Sequence, residues 1–166
     1  MNVTAPDGRK IAAEYGVLTS FGEKTAGATA VIEMAKASGL ALMDENALDP
    51  LAATSRGTGE LIASALNEGI RNILIGIGGS ATNDGGMGAA AALGVKFLDA
   101  EGNELLGCGR ELALVRKIDL SGLRSDVFEA KITVMCDVDN PLTGKNGATY
   151  TYGPQKGANA EALNTL

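Results

Sequence analysis

The clearest hydrophobic pattern in the chain is the short apolar run 73–77 (ILIGI), which is followed by a polar, glycine-rich stretch. An apolar run of this length, bounded by turn residues, predicts a buried β-strand. Residues 78–86 (GGSATNDGG) predict a loop, and the alanine-rich run 87–93 predicts the start of a helix. Glycine lets the backbone approach a ligand closely, and successive free N–H groups can then bind an anion. We therefore predict that this loop is the centre of a ligand site.

Other apolar runs predict further strands on both sides of this loop. Residues 19–28 predict a glycine-containing turn between two of these strands, so a hairpin is expected there. Residues 1–8 consist of polar turn residues and predict no strand. The predicted strands are residues 10–18, 29–34, 95–98 and 131–136.

The helical pattern is clearest before the central strand. Residues 61–69 are amphipathic and end at Gly69, and either Ser55 or Thr58 could cap the helix that they predict. Residues 148–152 are rich in threonine and tyrosine and predict an extended segment. The last residues, 159–166, predict the start of another helix.

The order of these elements predicts the fold class. Strands and helices alternate between residues 54 and 98, which favours parallel pairing, whereas the first 34 residues favour antiparallel pairing. We therefore expect an α/β fold with a mixed sheet, helices packed on it, and ligand loops at the strand ends. No linker divides the chain, so residues 1–166 are treated as one domain.

Composition excludes several classes of function. The 166 residues carry a net charge of −6, with a pI near 4.7. Binding to a nucleic-acid backbone needs a positive face, so this charge counts against it. Histidine is absent, which excludes histidine catalysis and histidine metal ligation within the chain. The 23 glycines fall mainly at the ends of apolar segments, as expected for an α/β protein.

The sequence carries no membrane or secretion signal. No stretch reaches the about 18 to 20 apolar residues of a membrane span, and the N-terminus lacks the apolar core of a signal peptide. Cys108 and Cys136 are too few for a metal cage and suit a reducing compartment. We expect a cytoplasmic protein that binds neither membranes nor nucleic acid.

Two nucleotide-binding motifs need to be weighed for the central loop. Residues 76–81 fit the dinucleotide pattern G-x-G-x-x-A, and Asp99 ends the next predicted strand, where a ribose-binding acid would stand. The polar loop continues past Ala81, however, so the helix is expected to start later than in that motif. A Walker-type P-loop requires Gly-Lys-Ser or Gly-Lys-Thr, which does not occur in the sequence.

Charged residues in the polar loops suggest phosphoryl transfer. That chemistry needs a magnesium site or a base, and cations that offset the charge on the transferred group. Asp84, Asp137 and Asp139 are the carboxylates that lie in polar loops. Lys156 and Arg56 could supply the positive charge. From the residues alone, we predict a site for an anionic ligand in an α/β protein.

Taken together, the polar loops resemble the signature segments of a known family. The glycine-rich loop with its preceding strand, the segment CDVDNPL and the segment YGPQKGA occur in the same order as in bacterial glycerate kinases that act on D-glycerate. Two further segments also match in order, so the resemblance covers nearly the whole chain and displaces the dinucleotide interpretation. The matching segments are residues 30–35 with 38–40, 53–62, 75–86, 136–142 and 152–158.

The resemblance implies transfer of the ATP γ-phosphoryl group to D-glycerate, giving a phosphoglycerate, with Mg²⁺ as helper; 2-phosphoglycerate is the expected product. We expect Asp84 or Asp137 to act as base or magnesium ligand and Lys156 as a charge partner for the phosphate. Arg56 is a further candidate, because its positive charge could offset the charge of the transferred phosphate. The residues expected to bind substrate or nucleotide are Gly78, Gly79, Ser80, Thr82, Asn83, Gly85, Gly86, Arg56 and Asn140.

Family members are longer than this chain. Their initial strand with its Ala-Pro-Asp-Ser-Phe-Lys-Gly loop and a later Ala-Asp-Gly-Gly-Glu-Gly segment have no counterpart here, so the chain is expected to be an internal fragment of a glycerate kinase. An alternative to a catalytic fragment is a non-catalytic structural lobe that needs the missing segments for activity. Exposed apolar surface would favour the lobe and would promote self-association.

Overall fold

The computed structural model describes residues 1–19 and 27–166, so most of the turn predicted at residues 19–28 lies outside the described residues. The strands are β1 (Asn2–Thr4), β2 (Lys10–Ala12), β3 (Gly16–Leu18), β4 (Thr29–Glu33), β5 (Asn72–Gly76), β6 (Lys96–Leu98), β7 (Lys117–Asp119) and β8 (Lys131–Met135). The α-helices are α1 (Ala35–Ser38), α2 (Arg56–Asn67), α3 (Met87–Ala92), α4 (Ala148–Tyr152) and α5 (Ala160–Thr165). Short 3₁₀ helices occur at Leu40–Leu42, Glu45–Ala47, Gly109–Leu114, Ser125–Val127 and Pro154–Lys156.

The largest sheet has the strand order β3-β4-β5-β8. β3 runs antiparallel to β4, whereas β4, β5 and β8 are parallel to one another. This mixed sheet with packed helices confirms the predicted α/β fold class. Because β4, β5 and β8 are parallel, the loops that follow them lie at the same edge of the sheet.

The hydrophobic core lies between this sheet and α2. Ile32 of β4 and Ile73 of β5 are almost fully buried, as are Leu61 and Leu66 of α2. Burying each such side chain contributes about 1.5–3 kcal/mol to folding. The core therefore fixes β5 and α2, the two elements that flank the glycine-rich loop in space.

The first predicted strand is the clearest difference near the N-terminus. Residues 10–18 form two strands, because β2 pairs with β1 in a separate hairpin while β3 pairs with β4. The predicted hairpin is confirmed for β3 and β4, whereas β1 was predicted to be a turn. A three-residue strand is too short to show a period, so only its pairing with β2 identifies it.

Residues 148–152 were predicted to be extended and instead form α4. Threonine and tyrosine favour strands locally, but tertiary contacts override that preference here. The Thr149 hydroxyl accepts a hydrogen bond from Asn83 Nδ2 at 3.1 Å, which ties α4 to the glycine-rich loop. Among the described residues, no helix is both long and apolar enough to cross a membrane.

Candidate active site

A cavity of about 400 Å³ lies where the loops after β5 and β8 meet the segment around Lys156. The end of β5, the loop after β8, α4 and the 3₁₀ turn that follows α4 all contribute to its wall. The lining residues are Ile77, Gly78, Gly79, Ser80, Cys136, Asp137, Val138, Asn140, Leu142, Ala148, Tyr152, Gln155 and Lys156. The structure thus brings together several residues that the sequence analysis selected from three separate loops.

Lys156 is the central cation of this cavity. Its side chain is buried, and its Nζ atom donates hydrogen bonds to Ser80 Oγ at 3.0 Å and to the carbonyl oxygen of Thr82 at 2.6 Å. Burial lowers the pKa of the ammonium group, while the negative charge of Asp84 partly opposes that effect. An ammonium group has three donors, so one N–H remains for a ligand.

The first part of the glycine-rich loop presents donors at the cavity. The backbone N–H groups of Gly78, Gly79 and Ser80 donate no hydrogen bond to any described residue. Gly79 has a φ of 68°, a conformation that favours glycine, and its carbonyl oxygen accepts a hydrogen bond from the N–H of Leu40. These three amides and the nearby Lys156 ammonium form a site suited to an anion.

The second part of the loop is closed around Asp84, which is only 2% exposed. Its Oδ2 atom accepts hydrogen bonds from Ser55 N at 2.8 Å, Ser55 Oγ at 2.7 Å and Gly88 N at 3.1 Å. Its Oδ1 atom accepts one from Gly86 N at 3.1 Å. Asp84 does not line the cavity, and the amides that it binds are unavailable to a ligand.

The first turn of α2 anchors this loop at two points. Ser55 immediately precedes α2, but its hydroxyl does not cap that helix as predicted; it donates to Asp84 and accepts from Ala89 N at 3.0 Å. Thr58 shares a buried 2.8 Å hydrogen bond with the hydroxyl of Ser38. The carbonyl oxygen of Ser38 in turn accepts from Ala81 N at 2.9 Å.

Asn140 holds the opposite wall of the cavity together. Its Nδ2 atom donates to Asn146 O at 3.2 Å and to Thr151 Oγ1 at 3.3 Å, while its Oδ1 atom accepts from Tyr152 Oη at 2.7 Å. The predicted binding residue is therefore engaged within the protein. Tyr152 was not predicted to bind a ligand, although it stands in one of the segments that resemble the family.

Several predicted residues lie outside the cavity. Arg56 lines a different cavity of about 470 Å³, near the turn after β1, and its side chain lies 3.9 Å from Glu60. The Thr82 side chain is buried, and Asn83 binds α4. Gly85 and Gly86 are exposed, with φ values of 59° and 77°. The structure does not bring these residues into the cavity with Lys156.

The two predicted metal ligands differ in their surroundings. No cluster of three or more histidine, cysteine, aspartate or glutamate side chains is present in residues 1–19 and 27–166. Mg²⁺ commonly needs only one or two protein carboxylates, together with substrate phosphates and water. Asp137 lines the cavity, is exposed and makes no hydrogen bond to another described residue. Its carboxylate fits such an ion, whereas both oxygens of Asp84 are already engaged.

The structure gives no support to the dinucleotide alternative. Helix α3 begins only at Met87, well beyond the end of the G-x-G-x-x-A pattern at Ala81. Asp99 closes a turn through hydrogen bonds from the backbone N–H groups of Glu101 and Asn103 and from Asn103 Nδ2. Its oxygens are therefore used within the protein.

Comparison with known proteins supports the resemblance to the glycerate kinase family. Residues 1–166 match the model of the glycerate kinase family. The chain is 51% identical to a glycerate kinase of Bacillus subtilis over 164 residues, which are 99% of this chain and 41% of that protein. It is 53% identical to a glycerate 2-kinase of Escherichia coli over 161 residues, 97% of this chain and 40% of that protein.

A solved structure extends the similarity to three dimensions. It is a crystal structure described as a glycerate kinase 2 from Salmonella typhimurium LT2, with a TM-score of 0.92 and 48% sequence identity. The match covers 99% of this chain and 42% of that one. The chain thus spans about two fifths of the length of these relatives. From its sequence and its fold, this chain belongs to the glycerate kinase family.

Proposed function

We propose that this chain carries part of the active site of a kinase that transfers the γ-phosphoryl group of ATP to D-glycerate, giving 2-phosphoglycerate. The observation that carries the proposal is the buried Lys156 ammonium group beside the unpaired amides of residues 78–80, at one wall of a cavity. The names of the relatives, glycerate kinase and glycerate 2-kinase, support the choice of acceptor and product.

The proposed reaction forms one P–O bond and breaks another. A hydroxyl oxygen of D-glycerate attacks the γ-phosphorus, the bond to the β–γ bridging oxygen breaks, and ADP leaves with that electron pair. The hydroxyl proton passes to water or to a carboxylate in the cleft. Charge is spread over the oxygens of the transferred group, so catalysis consists mainly of positioning and electrostatic stabilisation. The Lys156 ammonium and the amides of Gly78 and Gly79 supply both.

Asp137 is the proposed carboxylate for Mg²⁺. When bound, the ion offsets the negative charge of the nucleotide phosphates. Asp137 is exposed and lines the same cavity as Gly78 and Gly79, which suits that role. Asp139 follows two residues later and is also exposed, but it does not line the cavity. It therefore offers a matched comparison for Asp137.

Asp84 is proposed to be a positioning residue. Its carboxylate joins Ser55, at the start of α2, to the amides at the start of α3. It is one of the charges that act on Lys156. Asp84 therefore holds the loop in place and favours the charged form of Lys156, without contacting the reacting groups.

A second candidate function is a structural lobe that is inactive without other segments of a longer kinase. The observation that favours it is β8, in which all five residues are exposed. Ile132 and Val134, for example, are 38% and 51% exposed, although they stand beside the buried residues Ile73 and Ile75 of β5. A parallel strand is usually covered on both faces, so a covering layer would complete this part of the sheet.

Transfer of labelled γ-phosphate from Mg-ATP to D-glycerate by the purified chain tests both candidates. Catalysis by this chain requires labelled 2-phosphoglycerate, with turnover reduced at least about 100-fold in Lys156→Met and Asp137→Asn and almost unchanged in Asp139→Asn. No transfer, while a full-length relative is active in the same assay, would support the lobe. Labelled inorganic phosphate as the only product would show transfer to water and would contradict D-glycerate as the acceptor.

A further inference from the structure

A second cavity, of about 580 Å³, lies at the carboxyl end of β4 and plays no part in the phosphate site described above. Three charged side chains line it: Glu14, Glu33 and Lys36. The remainder of its wall is apolar and consists of Met1, Ala12, Ala13, Ala35, Ala41 and Leu42. It therefore combines a small charged group with a mostly apolar surface, as ligand sites commonly do.

The three charged side chains have no partner among the described residues. Glu14, Glu33 and Lys36 make no hydrogen bond or ion pair within residues 1–19 and 27–166, unlike the acids at Asp84 and Glu60. All three residues are exposed, so their charged groups are open to a ligand as well as to solvent. The cavity thus presents one ammonium group and two carboxylates that can bind a ligand.

The position of this cavity connects it to the phosphate site. Glu33 ends β4 and is paired in register with Gly76, the last residue of β5, and neighbouring strands lie about 4.8 Å apart. A Cβ atom at Gly79 would lie 3.6 Å from the Cβ of Ala35, which lines the second cavity. The glycine-rich loop therefore lies next to this cavity.

A third cavity, of about 430 Å³, lies next to both of the others. It shares Ala41 with the cavity at β4 and Gln155 with the phosphate site. Gly79 lines the cavity that carries Asp137, and it also lies next to Ala35 of the cavity that carries Glu33. Two-substrate phosphoryl transfer needs such an arrangement, with the transferred group held between donor and acceptor.

We propose that the cavity at the end of β4 is the subsite for the hydroxy acid that accepts the phosphoryl group; this inference rests on the proposed function. Lys36 binds the carboxylate of the acid. Glu33 and Glu14 accept hydrogen bonds from its hydroxyl groups. The nucleotide then occupies the cavity that Asp137 and Lys156 line.

The charges make this subsite selective for one chemical class. One ammonium group and two carboxylates match the one carboxylate and two hydroxyl groups of glycerate. A dicarboxylic acid of similar size would place its second carboxylate near Glu14 or Glu33, and neighbouring carboxylates repel each other. The subsite is therefore expected to prefer hydroxy monocarboxylic acids over hydroxy dicarboxylic acids.

Saturation-transfer NMR on the whole chain tests this placement, because it detects weak binding and does not require turnover. D-glycerate and Mg-ATP are observed separately, with malate as the dicarboxylic acid. The D-glycerate signal is expected to fall at least about fivefold in Glu33→Gln and in Lys36→Gln. It should persist in the exposed controls Glu101→Gln and Lys131→Gln. The Mg-ATP signal should be the same in all four variants.

The failures of the two proposals are distinguishable. A D-glycerate signal that survives in Glu33→Gln and Lys36→Gln but is lost in Lys156→Met would overturn the β4 subsite and leave the proposed function intact. Binding of Mg-ATP without binding of D-glycerate would also overturn the subsite. Loss of both signals in the unmodified chain would reject the proposed function itself. A malate signal as strong as that of D-glycerate would overturn the proposed selectivity.

Discussion

The two parts of the glycine-rich loop use the same kind of backbone donor in opposite ways. Residues 78–80 line a cavity, and their N–H groups donate to no described residue. At Gly86 and Gly88, the N–H groups donate to the buried carboxylate of Asp84. An acidic side chain within the second part thus plays the role that a bound anion would play in the first. The comparison separates a site that is open to a ligand from one that the protein has already filled.

The carboxylates Asp84 and Asp137 show the same contrast. Both lie in polar loops after parallel strands, and both were assigned the same chemistry from the sequence. Asp84 is 2% exposed with four hydrogen bonds, whereas Asp137 is exposed and makes none with the described residues. Burial and donor geometry therefore separate a positioning residue from a residue available to bind a ligand.

The largest expected effect follows from removing the buried carboxylate. Asp84→Ala leaves the buried donors of Ser55 and Gly88 without an acceptor, and we expect a loss of about 3–5 kcal/mol in the free energy of unfolding. Urea denaturation measures this. Asp137→Ala should leave the urea midpoint almost unchanged, because the side chain is exposed. Equal losses in the two variants would contradict the contrast between them.

The next effect concerns anion binding at the open part of the loop. Lys156→Met removes a charged donor from the cavity, so the affinity for Mg-ATP should fall by about 10- to 100-fold, equivalent to about 1.4–2.8 kcal/mol. Isothermal titration calorimetry gives the dissociation constants. Lys145→Met is the matched control, because Lys145 is exposed and lies outside the cavity. Equal affinities in the Lys156→Met and unmodified chains would exclude Lys156 as a phosphate ligand.

Two glycines allow the two parts of the loop to be compared by substitutions that introduce similar backbone strain. Gly79 and Gly86 have φ values of 68° and 77°, and an added Cβ atom meets no atom closer than 3.6 Å at either position. Substitution by alanine should therefore lower the free energy of unfolding by about 1–2 kcal/mol at each position, because of backbone strain alone. Only Gly79→Ala should also weaken Mg-ATP binding in the same titrations, because Gly79 lines the cavity. Weaker binding in Gly86→Ala alone would reverse the assignment of the two parts.

The smallest effect is a pH dependence that comes from Lys156. Burial holds its pKa below the value of about 10.4 expected in the unfolded chain. Between these two pKa values the unfolded state binds more protons, so the free energy of unfolding should rise with pH. Mg-ATP affinity should fall over the same range as the ammonium charge is lost, since the phosphates, with a last pKa of about 6, are already ionised.

The free energy of unfolding and the Mg-ATP affinity are each compared between the unmodified chain and Lys156→Met. These two differences separate the contribution of Lys156 from those of other groups that titrate at high pH. Urea denaturation and calorimetry between pH 8 and about 10.5 supply the two curves. The stability difference should move in the opposite direction from the affinity difference. Parallel movement of the two would show that another group is responsible.

Local patterns were sufficient to predict the strand, loop and helix around residues 73–93, because hydrophobic spacing and glycine content act over a few residues. They did not distinguish Asp84 from Asp137, because the main partner of Asp84, Ser55, is distant in the sequence. Nor could they predict α4, where threonine and tyrosine favour a strand but the segment is helical and Thr149 contacts the distant Asn83. The position of a residue in a loop was predictable, but the direction of its side chain depended on contacts between distant segments.

The most direct test of the central claim is a titration of the ¹⁵N-labelled chain with Mg-ATP, followed through the backbone amide signals. The account predicts saturable shifts at Gly78, Gly79 and Ser80, with the signals of Gly86 and Gly88 nearly unmoved because Asp84 already binds those amides. Saturable shifts at Gly86 and Gly88, with residues 78–80 unaffected, would contradict it.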